Sequence, residues 1–133
     1  MKRFAFLLAL ILTGALAIII HVRAQNAEET GVRQALEHYL RGHATGQGEN
    51  FRKAFHPDAK LFAIRDGKYW QLTSEEYIAR APGKPAADEA QRKRTIEAID
   101  ISGNVAVAKI VLDYPEVKLR ITCRCSRSMA SGK

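Results

Sequence analysis

Cysteine is almost missing from this chain of 133 residues: there are two, Cys123 and Cys125, separated by one residue near the C-terminus. That count excludes a disulfide framework, because a bridge across a single intervening residue closes a strained ring. It also excludes a cysteine-based metal site, since no further Cys or His stands nearby at ligand spacing. The four histidines, His21, His38, His43 and His56, include no pair at i, i+4 around a carboxylate, so a metal-hydrolase signature is absent too. Tryptophan occurs once, as Trp70, and there is neither a repeat nor a low-complexity stretch. What the chain does have is a formal net charge of +7 and a pI near 9.7. Seven of its basic residues lie at the ends: Lys2, Arg3, Arg23, Arg120, Arg124, Arg127 and Lys133. Without them, residues 25–119 hold 14 basic against 14 acidic residues. A neutral middle excludes a nucleic-acid partner. The one internal basic cluster, Arg92-Lys93-Arg94, follows Asp88 and Glu89 and reads as a solvated face.

The first residues form a targeting segment. Lys2 and Arg3 precede an uncharged apolar run from Phe4 to Ile20, and Val22 and Ala24 stand at the two positions a signal peptidase reads. Residues 1–24 are therefore expected to be an export signal cleaved after Ala24. The alternative is a retained membrane anchor, which is the only route by which the chain would touch a membrane. The basic pair before the apolar run puts the domain outside the cytoplasm either way, periplasmic or secreted.

From Glu28 to about His43, Val32, Leu36, Tyr39, Leu40 and His43 recur at helical spacing and predict an amphipathic helix. Asn50 is expected to cap a second, short helix carrying Phe51, Ala54 and Phe55, ended by His56-Pro57. Lys60 to Arg65 alternates, with Leu61, Ala63 and Arg65 on one face; Asp66-Gly67 signals a tight turn, and Lys68 to Leu72 returns. Thr73 and Glu76 form a capping box for a helix from Ser74 to Ala81, presenting Tyr77, Ile78 and Ala81 to the core. Pro82-Gly83-Lys84-Pro85 ends that helix, and Ala86 to Ala90 reads as loop. Two long strands follow. Arg94 to Ile101 places Ile96 and Ala98 opposite Thr95, Glu97, Ile99 and Ile101; Val105 to Tyr114 places Ala106, Ala108, Ile110, Leu112 and Tyr114 on one face. The order predicts an α+β domain with a mostly antiparallel sheet.

Several stretches allow a closer match: Tyr39-Leu40-Arg41-Gly42-His43-Ala44-Thr45-Gly46, Ala54-Phe55-His56-Pro57-Asp58-Ala59, Arg65-Asp66-Gly67, Glu76-Tyr77-Ile78-Ala79-Arg80, Gly83 to Ala90, and Val107-Ala108-Lys109 before Leu112-Asp113-Tyr114-Pro115. In this order they resemble the putative lumazine-binding branch of the nuclear transport factor 2-like (SnoaL-like) superfamily. The resemblance runs from about Val32 to Leu119. It implies a cone-shaped fold in which helices cover the concave side of a bent sheet, and hence a domain spanning 25–119.

From Arg120 onward the chain departs from that family's pattern. Codons for residues 120–133, read two bases later, can spell DYMSLLKIDGEWK, which is like the family's strand after the Tyr-Pro turn. A frameshift in the gene or the sequencing read is the expectation that follows. The last strands would then be missing, Val105–Tyr114 would be an open edge, and 120–133 would be an aberrant, disordered tail.

No motif identifies a catalytic residue, a cofactor or a metal. Tyr39, His43, Trp70, Tyr77 and Asp113 are the candidates to line a pocket between helices and sheet, since aromatic walls with a few polar groups suit a small molecule. Asp100 and Asp113 are the carboxylates in strands, and neither sits in a catalytic motif. The expected function is an exported small-molecule-binding or accessory domain for a small aromatic or heterocyclic ligand. The alternatives are an acid/base enzyme acting on a small carbonyl compound, and a module that forms homodimers through the outer sheet face. Exposed apolar residues on the outward side of the two long strands would favour the homodimer.

Overall fold

A computed structural model describes residues 28–126. Residues 1–27, which include the segment 1–24 expected to be an export signal, and residues 127–133 lie outside the described residues.

Helix α1 covers 28–45 and buries Val32, Leu36 and Tyr39 along its apolar stripe. Gly46 ends it in the left-handed region, at φ +69°, with its N–H on the Gly42 carbonyl at 2.9 Å. Helix termini of this kind favour glycine because the absent Cβ removes the steric penalty. Helix α2, Gly48–Ala54, follows at once, and its N-cap is Gln47 rather than Asn50. Asn50 lies inside α2, where its amide donates to Thr45 Oγ1 at 3.1 Å. Phe51, 4% exposed, rests on Gly42, where any added Cβ would overlap its ring. Both connections keep α2 tight against the end of α1.

Strands β1 (Lys60–Arg65) and β2 (Lys68–Thr73) pair antiparallel, with Leu61 opposite Leu72 and Ala63 opposite Trp70. Asp66 and Gly67 both adopt positive φ, 51° and 73°, as the expected tight turn requires. Thr73 caps helix α3 (Ser74–Ala79) through a complete capping box with Glu76. Ser74 is 1% exposed and fully bonded: its hydroxyl donates to the Pro57 carbonyl at 2.6 Å, and its N–H donates to Ala59 O at 2.9 Å. A buried polar group is tolerable only when so paired. Residues 86–90, expected as loop, run into a 3₁₀ turn at Glu89–Gln91.

The second sheet is β3 (Lys93–Ser102), β4 (Val105–Tyr114) and β5 (Val117–Ser126), antiparallel in that order. Strict alternation would set Ile96 against Ile99 and Ile101. The structure instead shifts register between Ile96 and Ala98, leaving Glu97 as an extra residue. That bulge returns Ile99 and Ile101 to the same face as Ile96, and all three pack on the core. Ala106, Ala108, Ile110 and Leu112 of β4 meet α1 and α2 there; Ile110 is wholly buried. Replacing such a branched side chain by alanine typically costs 2–5 kcal/mol.

The expectation for the C-terminal stretch is corrected. Val117–Ser126 is a regular strand paired with β4 along its whole length, from Tyr114↔Val117 to Val105↔Ser126. Within the described residues β4 is therefore the central strand of its sheet, and the boundary drawn at 119 falls inside β5. The physical reason is a two-residue period. Ile121, Cys123 and Cys125 turn toward the core, with Cys125 buried, while Lys118, Arg120, Thr122 and Arg124 are exposed. Free cysteine packs as a small apolar residue, so the pattern buries what a strand face needs. Burial pushes the Cys123 thiol up to about 11, which keeps it protonated and unreactive at neutral pH.

Candidate functional site

A cleft of about 320 Å³ opens between the end of α1, the inner face of the β1–β2 hairpin, α3 and the chain that follows α3. Its aromatic wall carries His43, Trp70 and Tyr77, backed by Phe51. Each comes from a different element: α1, β2, α3 and α2. Gly46 sets the rim, because its carbonyl accepts the Gly83 N–H at 2.8 Å while Gln47 Nε2 reaches the Gly83 carbonyl at 2.6 Å. The segment after α3 is thereby clamped beside the end of α1.

Behind the wall lies a cluster of rings. Tyr39 meets His43 edge-on at 4.7 Å, and Phe51 meets Tyr77 edge-on at 5.2 Å. Edge-to-face packing of this sort fixes ring orientation as well as burying area. The Tyr77 hydroxyl is 3.0 Å from His43 Nε2. The His43 pKa is lowered to about 4, first by burial and next by the nearby Arg94 and Arg92, with Glu89 opposing them. The ring is neutral at ordinary pH. Burial likewise pushes both tyrosine hydroxyls above their usual value.

Arg94 holds this corner together. Its side chain is 8% exposed and grips both Glu89 oxygens, at 2.6 and 2.7 Å. It also donates to Tyr114 Oη at 3.2 Å and to the His43 carbonyl at 3.3 Å. The last carbonyls of a helix lack intrahelical partners, so a guanidinium there satisfies one and matches the helix dipole. The cluster Arg92-Lys93-Arg94 is therefore not a solvated face: Lys93 alone is exposed, while Arg92 bonds Asp88 Oδ1 at 2.8 Å and lies 4.4 Å over the Tyr114 ring.

Of the residues the sequence singled out, His43, Trp70 and Tyr77 line the cleft together. Tyr39 stands one layer behind them, in the core. Asp113 does not reach the cleft: it lies in register with Lys93 and Lys118 and is ion-paired with Lys118 at 3.1 Å. Its place in β4 follows from the alternation that sends Leu112 inward, which turns Asp113 to the other face. Missed in the sequence were the cations of the cleft, Arg65, Arg80, Lys84 and Arg92. One signal was available, since Arg65 shares its strand face with Leu61 and Ala63, and an arginine on an apolar face asks for an explanation. Among the described residues, no group of three or more His, Cys, Asp and Glu side chains stands together as a metal site.

Comparison with known proteins agrees with this architecture. A family model described as putative lumazine-binding matches residues 27–120. Three solved structures are similar over most of their length, all nuclear transport factor 2-like proteins of unknown function. One from Shewanella baltica is 21% identical, with a TM-score of 0.65 over 74% of this chain and 81% of its own. One from Methylobacillus flagellatus is 25% identical, with a TM-score of 0.61 over 74% and 78%. One from Silicibacter pomeroyi is 14% identical, with a TM-score of 0.62 over 79% and 85%. No curated protein matches the chain.

Proposed function

Because this chain belongs to the putative lumazine-binding family and carries the α+β nuclear transport factor 2-like fold, we propose that it is an exported domain that binds a small aromatic or heterocyclic molecule in the cleft beside α1. One observation carries the reading: a cleft of about 320 Å³ with Trp70 and Tyr77 on its wall, built from elements that internal bonds hold in place. Concave sites with aromatic walls and few polar groups are what small planar ligands fill. The family's description points the same way. Catalysis is not part of this reading. An imidazole lowered to about 4 is a weak base at neutral pH, and no carboxylate lines the cleft among the described residues. Self-association through the outer sheet face is not favoured either. Val105 and Val107 are exposed there, but they share that side with Lys109, Asp100, Lys118, Arg120 and Arg124.

Trp70 is the chain's only tryptophan, so its fluorescence reports the cleft alone. Titration of the protein without residues 1–24 with flavin- and pterin-type compounds is expected to shift or quench that signal and to raise the melting temperature, as a ligand of the folded state must. Flat titrations and an unchanged melting temperature across the series would remove the reading. Mass spectrometry of the protein recovered outside the cytoplasm is expected to find Gln25 as its first residue.

A further inference from the structure

We propose that the ligand of this cleft carries an anionic group, a carboxylate or a phosphate, attached to its planar ring; this rests on the binding reading above and narrows it. Residues 25–119 are neutral overall, yet the cleft is not. Four basic residues line it, Arg65, Arg80, Lys84 and Arg92, and among the described residues no acidic one does. Arg92 is committed to Asp88 at 2.8 Å. The other three have no carboxylate within ion-pairing distance, although seven other basic side chains of the described residues, Arg33, Arg52, Lys53, Arg92, Arg94, Lys118 and Arg120, do. Three cations without an ion-pair partner therefore meet at one cleft that no carboxylate of the described residues lines.

Their placement is specific. The Arg65 guanidinium carbon lies 4.7 Å from the centre of the Trp70 ring, and that of Arg80 lies 6.0 Å from it. One indole thus holds two guanidinium groups that repel one another. Cation–π attraction offsets part of that repulsion; a bound anion between them would offset the remainder through charge-assisted, forked hydrogen bonds. Arg65 arrives from the inner face of β1, and Arg80 is the C-cap of α3, so two independent elements deliver the charge to one ring. Lys84 adds a third from the segment clamped on Gly46. His43 stands with Trp70 and Tyr77 on the cleft's aromatic wall. A planar ring against Trp70 and Tyr77, with its negative substituent at Arg65 and Arg80, satisfies each of these groups. A neutral ligand satisfies the rings alone.

The test uses matched probes that share one ring: naphthalene-2-carboxylate, 2-naphthyl phosphate and the neutral 2-naphthamide. Binding is followed by calorimetry, with Trp70 fluorescence alongside. At least one anion is expected to bind about tenfold or more tightly than the amide, since a charge-assisted contact is roughly twice as strong as a neutral one. The better of the two anions identifies carboxylate or phosphate as the group. The preference is expected to shrink in high salt and to vanish in the double variant Arg65→Gln, Arg80→Gln, whose altered side chains are exposed and leave the core intact. Equal binding of amide and anions overturns the anionic inference and leaves the cleft as a binding site. A preference unchanged in the double variant overturns the assignment to Arg65 and Arg80. Binding of none of the three, at millimolar concentration, overturns both this inference and the reading it rests on. Inorganic phosphate alone is the control: if it competes as well as the aromatic phosphate, the ring contributes nothing and the inference fails.

Discussion

The hydroxyl of Tyr77 meets Nε2 of His43 at 3.0 Å, joining residues 34 positions apart. Through it α3 is fastened to α1, and both side chains are held at the cleft wall. Tyr77→Phe keeps the ring packing but leaves a buried imidazole nitrogen without a partner. An unsatisfied buried polar group costs about 1–3 kcal/mol, so the urea midpoint is expected to fall accordingly with an unchanged m-value.

Acid should weaken the fold through His43. Its ordinary pKa of 6.5 is lowered to about 4 in the folded protein. The unfolded chain therefore takes up a proton at higher pH than the native one. The contribution is whole above pH 6.5, declines as pH falls toward 4, and is gone below that. The gap corresponds to at most about 3 kcal/mol. Unfolding measured between pH 4 and 7 is expected to show a shallower slope for His43→Gln than for the parent.

Arg94→Met should be among the most damaging surface-adjacent changes. It strips Glu89 of both hydrogen bonds and uncovers the His43 carbonyl. Breaking one partner of a buried pair costs roughly 3–5 kcal/mol; Glu89 is 27% exposed, and about 2–3 kcal/mol is expected. Arg94→Lys, which keeps the charge and loses the fork, should fall between. Thermal and urea unfolding of the three proteins give the ranking.

Gly46→Ala tests the rim of the cleft. Alanine is strained at φ +69°, and its Cβ would overlap the backbone of Lys84. A loss of at least about 1–2 kcal/mol is expected, more than for a glycine that meets only the φ penalty. Gly83→Ala supplies the comparison, since φ there is +74° and nothing stands within reach of its Cβ.

Strand β5 yields a paired test. Cys125→Asp introduces a carboxylate into the core and should cost several kcal/mol, enough to unfold the domain or nearly so. Arg124→Asp, one residue away on the exposed face, should stay within about 0.5 kcal/mol. Similar effects from both would mean that the strand does not pair as described.

The helices and hairpins were legible because each rests on a local rule. The stripe of Val32, Leu36 and Tyr39, the Asp66-Gly67 turn and the Thr73–Glu76 box all stand in the structure as the sequence implied. Half of the cleft was legible for the same reason: aromatic residues at helical and strand spacing had to face inward, and His43, Trp70 and Tyr77 do. The cations were not, because a charged residue is read as solvated unless its partners are known. Arg94 is buried only because Glu89, Tyr114 and a helix end converge on it, and no spacing rule announces that convergence. The C-terminal strand escaped for a different reason. Measured against the family's own sequence, residues after Arg120 look foreign, and the family match does end at 120. Taken alone, Ile121, Cys123 and Cys125 keep the beat of a strand. Whether an altered reading frame wrote them is a question for the DNA, and resequencing the locus answers it.

The extra residue at Glu97 has a consequence for how this chain can vary. It acts as a phase correction: upstream of it the even-numbered positions face the helices, downstream the odd ones do. Deleting that one residue would close the bulge and keep Ile96, Ile99 and Ile101 on the core face by plain alternation, since their partners Ile110, Ala108 and Ala106 already stand two apart. What the deletion would remove is the local bend and added twist, so both substitution and loss at Glu97 should leave the core face intact.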